Sequence, residues 1–82
     1  MNAYFPFISR SAAMRGEKLL RENDISTKTI PTPKGLGEPC ELCLVSPRNH
    51  AETARCRLQD AGLTQRTRGV FVQGKDNWER ID

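Results

Sequence analysis

Residues 3–9, Ala-Tyr-Phe-Pro-Phe-Ile-Ser, open the chain with a short apolar and aromatic run that reads as a strand. Pro6 interrupts it. Proline removes a ladder donor, so the strand needs a bulge or an unpaired position there. Over residues 11–23 the period changes. Ala13, Gly16, Leu19 and Leu20 recur at helical spacing, Met14 lies at the margin, and Arg15, Lys18, Arg21 and Glu22 form the wet face. Ser9 and Ser11 are both candidate N-caps. Gly16 costs about 1 kcal/mol against alanine inside a helix, and its use there is close approach to a sheet. Asn23-Asp24 ends the helix, because both residues tolerate turn geometry.

Residues 25–30 carry Ile25, Thr27, Thr29 and Ile30 and predict a second strand, stopped by Pro31 and Pro33. Leu42, Leu44 and Val45 predict a third, opening at Cys40 and ending at Ser46-Pro47. A second helix is predicted over 48–61. Ala51, Ala54, Leu58 and Ala61 form its apolar stripe, and Asn49 with Glu52 resembles a capping box. Gly62 is placed as the left-handed residue after the helix, with Leu63 as the contact that follows it. Residues 68–73, around Val70-Phe71-Val72, predict a fourth strand. The order β-α-β-β-α-β predicts an α+β, ferredoxin-like sandwich, with two helices on one face of a four-stranded antiparallel sheet. The domain is expected over residues 1–73, followed by a polar C-terminal tail over 74–82. The other sheet face would be bare or would pair with a second copy, which makes a homodimeric interaction module the alternative to a chemical role.

Composition narrows this reading without changing it. Eighty-two residues make one small domain. A domain of that size buries only about 60–65% of the surface that its unfolded chain exposes. The net charge of +3 is mild, and many basic residues stand beside acids, as in Glu17-Lys18 and Lys75-Asp76. A nucleic-acid binder shows a clustered basic face, and none is evident. No stretch is long and apolar enough to span a membrane. Three cysteines, an odd number with no signal-like leader, point to free thiols in a reducing cytoplasm rather than a secreted disulfide scaffold.

The candidate chemistry gathers between the two halves. Pro31-Thr-Pro-Lys-Gly-Leu-Gly-Glu-Pro-Cys40 holds three of the chain's five prolines and two of its six glycines. Such a loop is shaped rather than floppy, and it delivers the Cys40 thiol where a strand should begin. Backbone N–H groups around Gly35 and Gly37 could form an anion nest, with Pro39 fixing the approach. Glu38 and Glu41 count against a thiolate, because they bring like charge to it.

Phe7-Ile-Ser9, Ala13, Glu17-Lys-Leu-Leu20, Pro31-Thr-Pro33, Cys40 and the apolar Leu42 and Leu44 occur in an order that resembles the small bacterial family of Se/S carrier-like proteins. The similarity extends over about residues 4–72. The resemblance implies that Cys40 is the family cysteine and that it accepts a sulfur or selenium atom from a donor protein and yields it to an acceptor protein. It implies a carrier rather than an enzyme with its own turnover, and no cofactor. Two positions depart from the pattern. Glu41 stands where the family has glycine after the cysteine, and Cys43 stands where a small residue is usual.

Other arrangements of the cysteines fit the sequence less well. Cys40-Glu-Leu-Cys43 has redox-motif spacing. On a strand, however, its Cα atoms would be about 10 Å apart and the side chains would point to opposite faces, beyond the roughly 7 Å limit for a disulfide. Cys43 is kept as a neighbour of the site. A Cys₃His zinc set of Cys40, Cys43, Cys56 and His50 requires residues that the predicted elements separate, so no metal is expected. Cys56, between Arg55 and Arg57, reads as a semi-exposed helix residue. Arg68-Gly-Val-Phe-Val72 resembles part of the aromatic strand motif of RNA-recognition modules, but it lacks the first aromatic and falls on the last strand. Nucleic acid is not the expected partner.

Overall fold

The apolar run at the start of the chain becomes the middle of a sheet. In the computed structural model, which describes residues 1–82, strand β1 (Asn2–Pro6) is followed by helix α1 (Arg10–Glu22), strands β2 (Lys28–Pro31) and β3 (Leu42–Pro47), helix α2 (Ala51–Asp60), and strands β4 (Phe71–Gln73) and β5 (Trp78–Arg80). The sheet is antiparallel throughout, in the order β2-β3-β1-β4-β5. The fold is α+β with two helices, as expected. The strand count is five rather than four, because residues 78–80, read from sequence as part of a polar tail, pair with β4.

Alternation along β1 decides which face is the core. Ala3, Phe5 and Phe7 are fully buried and join Leu44 of β3 in one apolar cluster with Ala12, Ala13 and Leu20 of α1 and Ala51, Ala54 and Leu58 of α2. Both helices therefore cover the same face. Burial of each large side chain here stabilises the fold by roughly 1.5–3 kcal/mol. Gly16 sets the spacing. A Cβ on it would meet Leu44 Cδ1 at 3.1 Å, Leu58 Cδ2 at 3.2 Å and Phe7 Cζ at 3.2 Å, so the helix lies closer to the sheet than any side chain would comfortably permit.

The caps follow local chemistry. Ser9 Oγ accepts the Ala12 N–H at 3.3 Å and starts α1. Asp24 takes a left-handed φ of 61° at the helix end, and the Ile25 N–H donates back to the Leu20 carbonyl at 2.9 Å. Gly62, with φ 73°, does the same work after α2, where the Leu63 N–H reaches the Leu58 carbonyl at 2.9 Å.

Four local expectations are corrected. The capping box of Asn49 and Glu52 does not form: Arg48–His50 make a 3₁₀ turn ahead of α2, and no side chain caps either element. Residues 25–27 precede β2 without pairing, because the Thr27 hydroxyl bonds to the Ile25 carbonyl at 2.9 Å and Arg21 Nη2 bonds to the Thr27 carbonyl at 3.2 Å. Residues 68–70 are irregular, with Gly69 at φ 127°, and only Phe71–Gln73 forms β4. Pro6 causes no bulge. Its carbonyl accepts the Arg68 N–H at 2.8 Å. Since N–H and C=O of a strand residue point to the same side, its missing donor faces that same irregular stretch.

The helix-free face is not bare. Cys43 is fully buried and Leu36 nearly so, and both lie outside the helix-side cluster. The long β2–β3 connection, residues 32–41, comes against Trp78 of β5, whose ring meets Tyr4 edge-on at 4.8 Å and 69°.

Candidate functional site

The site is the β2–β3 connection, and its base is an extension of the sheet. Pro31 pairs with Leu42 in the ladder, and the next bond, Thr32 N–H to the Glu41 carbonyl at 3.0 Å, closes the loop. Two turns shape the interior. The Leu36 N–H donates to the Pro33 carbonyl at 3.1 Å, and the Glu41 N–H donates to the Glu38 carbonyl at 3.0 Å. Gly35, at φ 96°, makes the first bend possible. Pro39 and Cys40 sit in the second, both exposed.

Cys40 is thus outside β3, two residues before the strand begins at Leu42. Its own carbonyl accepts a hydrogen bond from Arg10 Nη1 at 2.9 Å, so the first residue of α1 holds the backbone at the thiol. The neighbouring acid is engaged elsewhere. Glu41 Oε1 accepts the Glu38 N–H at 3.0 Å, and Arg68 Nη2 lies 3.0 Å from each carboxylate oxygen. The Glu38 N–H, and then Arg68, hold the Glu41 carboxyl below the usual carboxylate range.

The expected anion nest therefore has an internal occupant. The N–H beside Gly37 is given to the Glu41 carboxylate, and a Cβ on Gly37 would lie 2.8 Å from Glu41 Oε1. Gly37 serves packing of that carboxylate, and Gly35 serves packing of Trp78, whose Cδ1 would lie 3.1 Å from a Cβ there.

The thiols are set apart. Cys43 is on β3, with no exposure, and burial pushes its thiol up to about 12, only partly offset by the Phe5 backbone. Its Sγ lies 3.7 Å from the Leu44 carbonyl, as a weak donor. Cys56 is exposed on α2, and all three cysteines are free. His50 is exposed in the 3₁₀ turn at the opposite end of β3 from Cys40. No three potential metal-ligating side chains come together. Within the RNA-motif-like stretch, Gly69 takes a φ of 127° in an irregular segment and Val70 packs in the helix-side core.

A family model described as "Putative Se/S carrier protein-like" matches residues 2–67. The chain belongs to this family. No curated protein and no solved structure matches it. The Se/S carrier-like match includes Arg10, Cys40, Glu41 and Cys43, whereas Arg68 and Trp78 lie beyond it. No helix is long and apolar enough to cross a membrane.

Arg10, Arg68 and Trp78 are the residues about this loop that sequence reasoning missed. Arg10 and Arg68 carry no local signal, since each reaches the loop only through the fold. Trp78 did carry one: it is the chain's lone tryptophan, standing in an otherwise polar segment.

Proposed function

We propose that Cys40 is the acceptor thiol of a sulfur or selenium carrier, working between a donor and an acceptor protein in a reducing, cytoplasmic setting. One observation carries the reading. Of the three thiols, Cys40 alone is both exposed and presented at the end of a shaped loop, with its backbone held by Arg10. Cys43 is buried, and Cys56 stands on an open helix surface. The order βαββαβ, with β2-β3-β1-β4 as neighbours, supports a ferredoxin-like scaffold extended by one hairpin strand.

The transfer needs no outside oxidant. The Cys40 thiolate attacks the terminal sulfur of a donor persulfide, R–S–SH. A new Sγ–S bond forms, the donor S–S bond breaks, and its electron pair leaves with the donor thiolate. A nucleophile on the acceptor then attacks the carried sulfur and returns Cys40 as thiolate. A selenium-bearing donor, R–S–SeH, follows the same bookkeeping. Engagement of Glu41 by Arg68 supports this role, because that carboxylate is not left free beside the thiol.

Peptide mapping tests the assignment. After brief exposure to glutathione persulfide, the adduct of about 32 Da is expected on the peptide holding Cys40. An adduct confined to Cys56 would overturn it.

A further inference from the structure

We propose that the C-terminal segment braces the Cys40 loop, with Trp78 and Arg68 as positioning residues; this rests on the reading of Cys40 as the acceptor. The loop is ten residues long and is held internally by two turns, one closing bond and the Glu38 N–H to Glu41 carboxylate bond. Two contacts from beyond the family-matched region fasten it. Trp78 Nε1 donates to the Lys34 carbonyl at 3.0 Å, while its ring is backed by Tyr4 of β1. Arg68 Nη2 holds Glu41, the residue after Cys40, at 3.0 Å.

Each fastening is matched by a glycine in the loop. At Gly35 a Cβ would lie 3.1 Å from Trp78 Cδ1, and the φ of 96° excludes an ordinary side chain independently. At Gly37 a Cβ would lie 3.0 Å from Arg68 Nε. The two glycines therefore suit the two braces, one near the middle of the loop and one at the thiol end. The β4–β5 hairpin carries Trp78 to the face that the helices leave uncovered. With Arg10 on the Cys40 carbonyl, the thiol end of the loop is held from α1 and from the C-terminal segment together. With the backbone at Cys40 held, less entropy is lost on reaching the in-line geometry that attack on a persulfide requires.

The test uses the full chain and glutathione persulfide as probe. It compares the unmodified protein with Trp78→Leu, Trp78→Phe and Arg68→Gln. Two quantities are read: the rate of adduct formation on Cys40, and amide hydrogen exchange in the loop relative to α1. Trp78→Leu is expected to raise loop exchange about tenfold with α1 unchanged, and to slow transfer about tenfold. Trp78→Phe keeps a ring against Tyr4 but loses the Nε1–H donor to Lys34, and is expected to recover only part of that rate. Arg68→Gln leaves the hairpin intact and is expected to raise loop exchange most at the thiol end, so it decides the matter even if Trp78→Leu does not fold. Unchanged loop exchange, or equal loss of protection in loop and α1, would overturn the brace. Failure of the unmodified protein to accept sulfur would instead overturn the Cys40 reading, which separates the two failures.

Discussion

Arg68 Nη2 lies 3.0 Å from both carboxylate oxygens of Glu41, across 27 positions of sequence. The pair joins the residue that follows the candidate thiol to the irregular stretch before β4. It also ties the loop to pH. The folded carboxyl is held below its ordinary value of 4.5, so its contribution is fully present above that value. It is lost as pH falls through the lower folded value.

Acidification is therefore expected to loosen the loop before it unfolds the sheet. Trp78 emission, which reports the Lys34 contact, should change below about pH 4.5. Far-ultraviolet circular dichroism should change only at lower pH. Glu41→Gln should show the loosened emission already at neutral pH. Identical pH profiles for the two probes would contradict this.

Cys43 should be inert in the native protein. Iodoacetamide at about pH 8 should modify Cys40 and Cys56, and Cys43 only after denaturation, since its buried thiol titrates at about 12. The sign of the stability effect follows. The folded value lies above the ordinary 9.0, so the contribution is present below that pH and fades as pH rises towards about 12. Cys43→Ala should flatten the alkaline loss of stability relative to the unmodified chain. Cys43→Ser should cost about 1–3 kcal/mol by burying a hydroxyl with no better partner.

Gly16→Ala sets two effects against each other. Helix propensity favours alanine by about 1 kcal/mol, whereas overpacking a core costs typically 1–3 kcal/mol. The added methyl would meet three fully buried side chains, Phe7, Leu44 and Leu58, at 3.1–3.2 Å. Overpacking should win, with a net loss of about 1 kcal/mol and a fall in Tm of about 4–8 °C. A higher Tm would show that the core has more room than these contacts suggest.

Some of these features are legible in local sequence. A serine cap at Ser9 or Ser11, of which Ser9 is the one formed, the left-handed Gly62, the close approach at Gly16 and the two helices each follow from a few adjacent residues. What needed the fold was long-range pairing. Three residues of β5 are too few and too polar to announce a strand, and they become one only because β4 offers an edge. The anion nest expected at the glycines is filled by Glu41, whose carboxylate takes the Glu38 N–H and is also held by Arg68, 27 positions away. Strand geometry predicts that Cys40 and Cys43 point to opposite faces. In the structure the separation comes instead from burial, with Cys40 in the turn before β3 and Cys43 inside the sheet.

Intact-mass spectrometry of the full chain and of Cys40→Ser, after incubation with a persulfide donor and then with a selenium-bearing donor, tests the central proposal most directly. The proposal predicts a single added atom, about 32 Da for sulfur or about 79–80 Da for selenium, removed by thiol reductant and absent from Cys40→Ser. An adduct that persists in Cys40→Ser, or none in the unmodified chain, would contradict it.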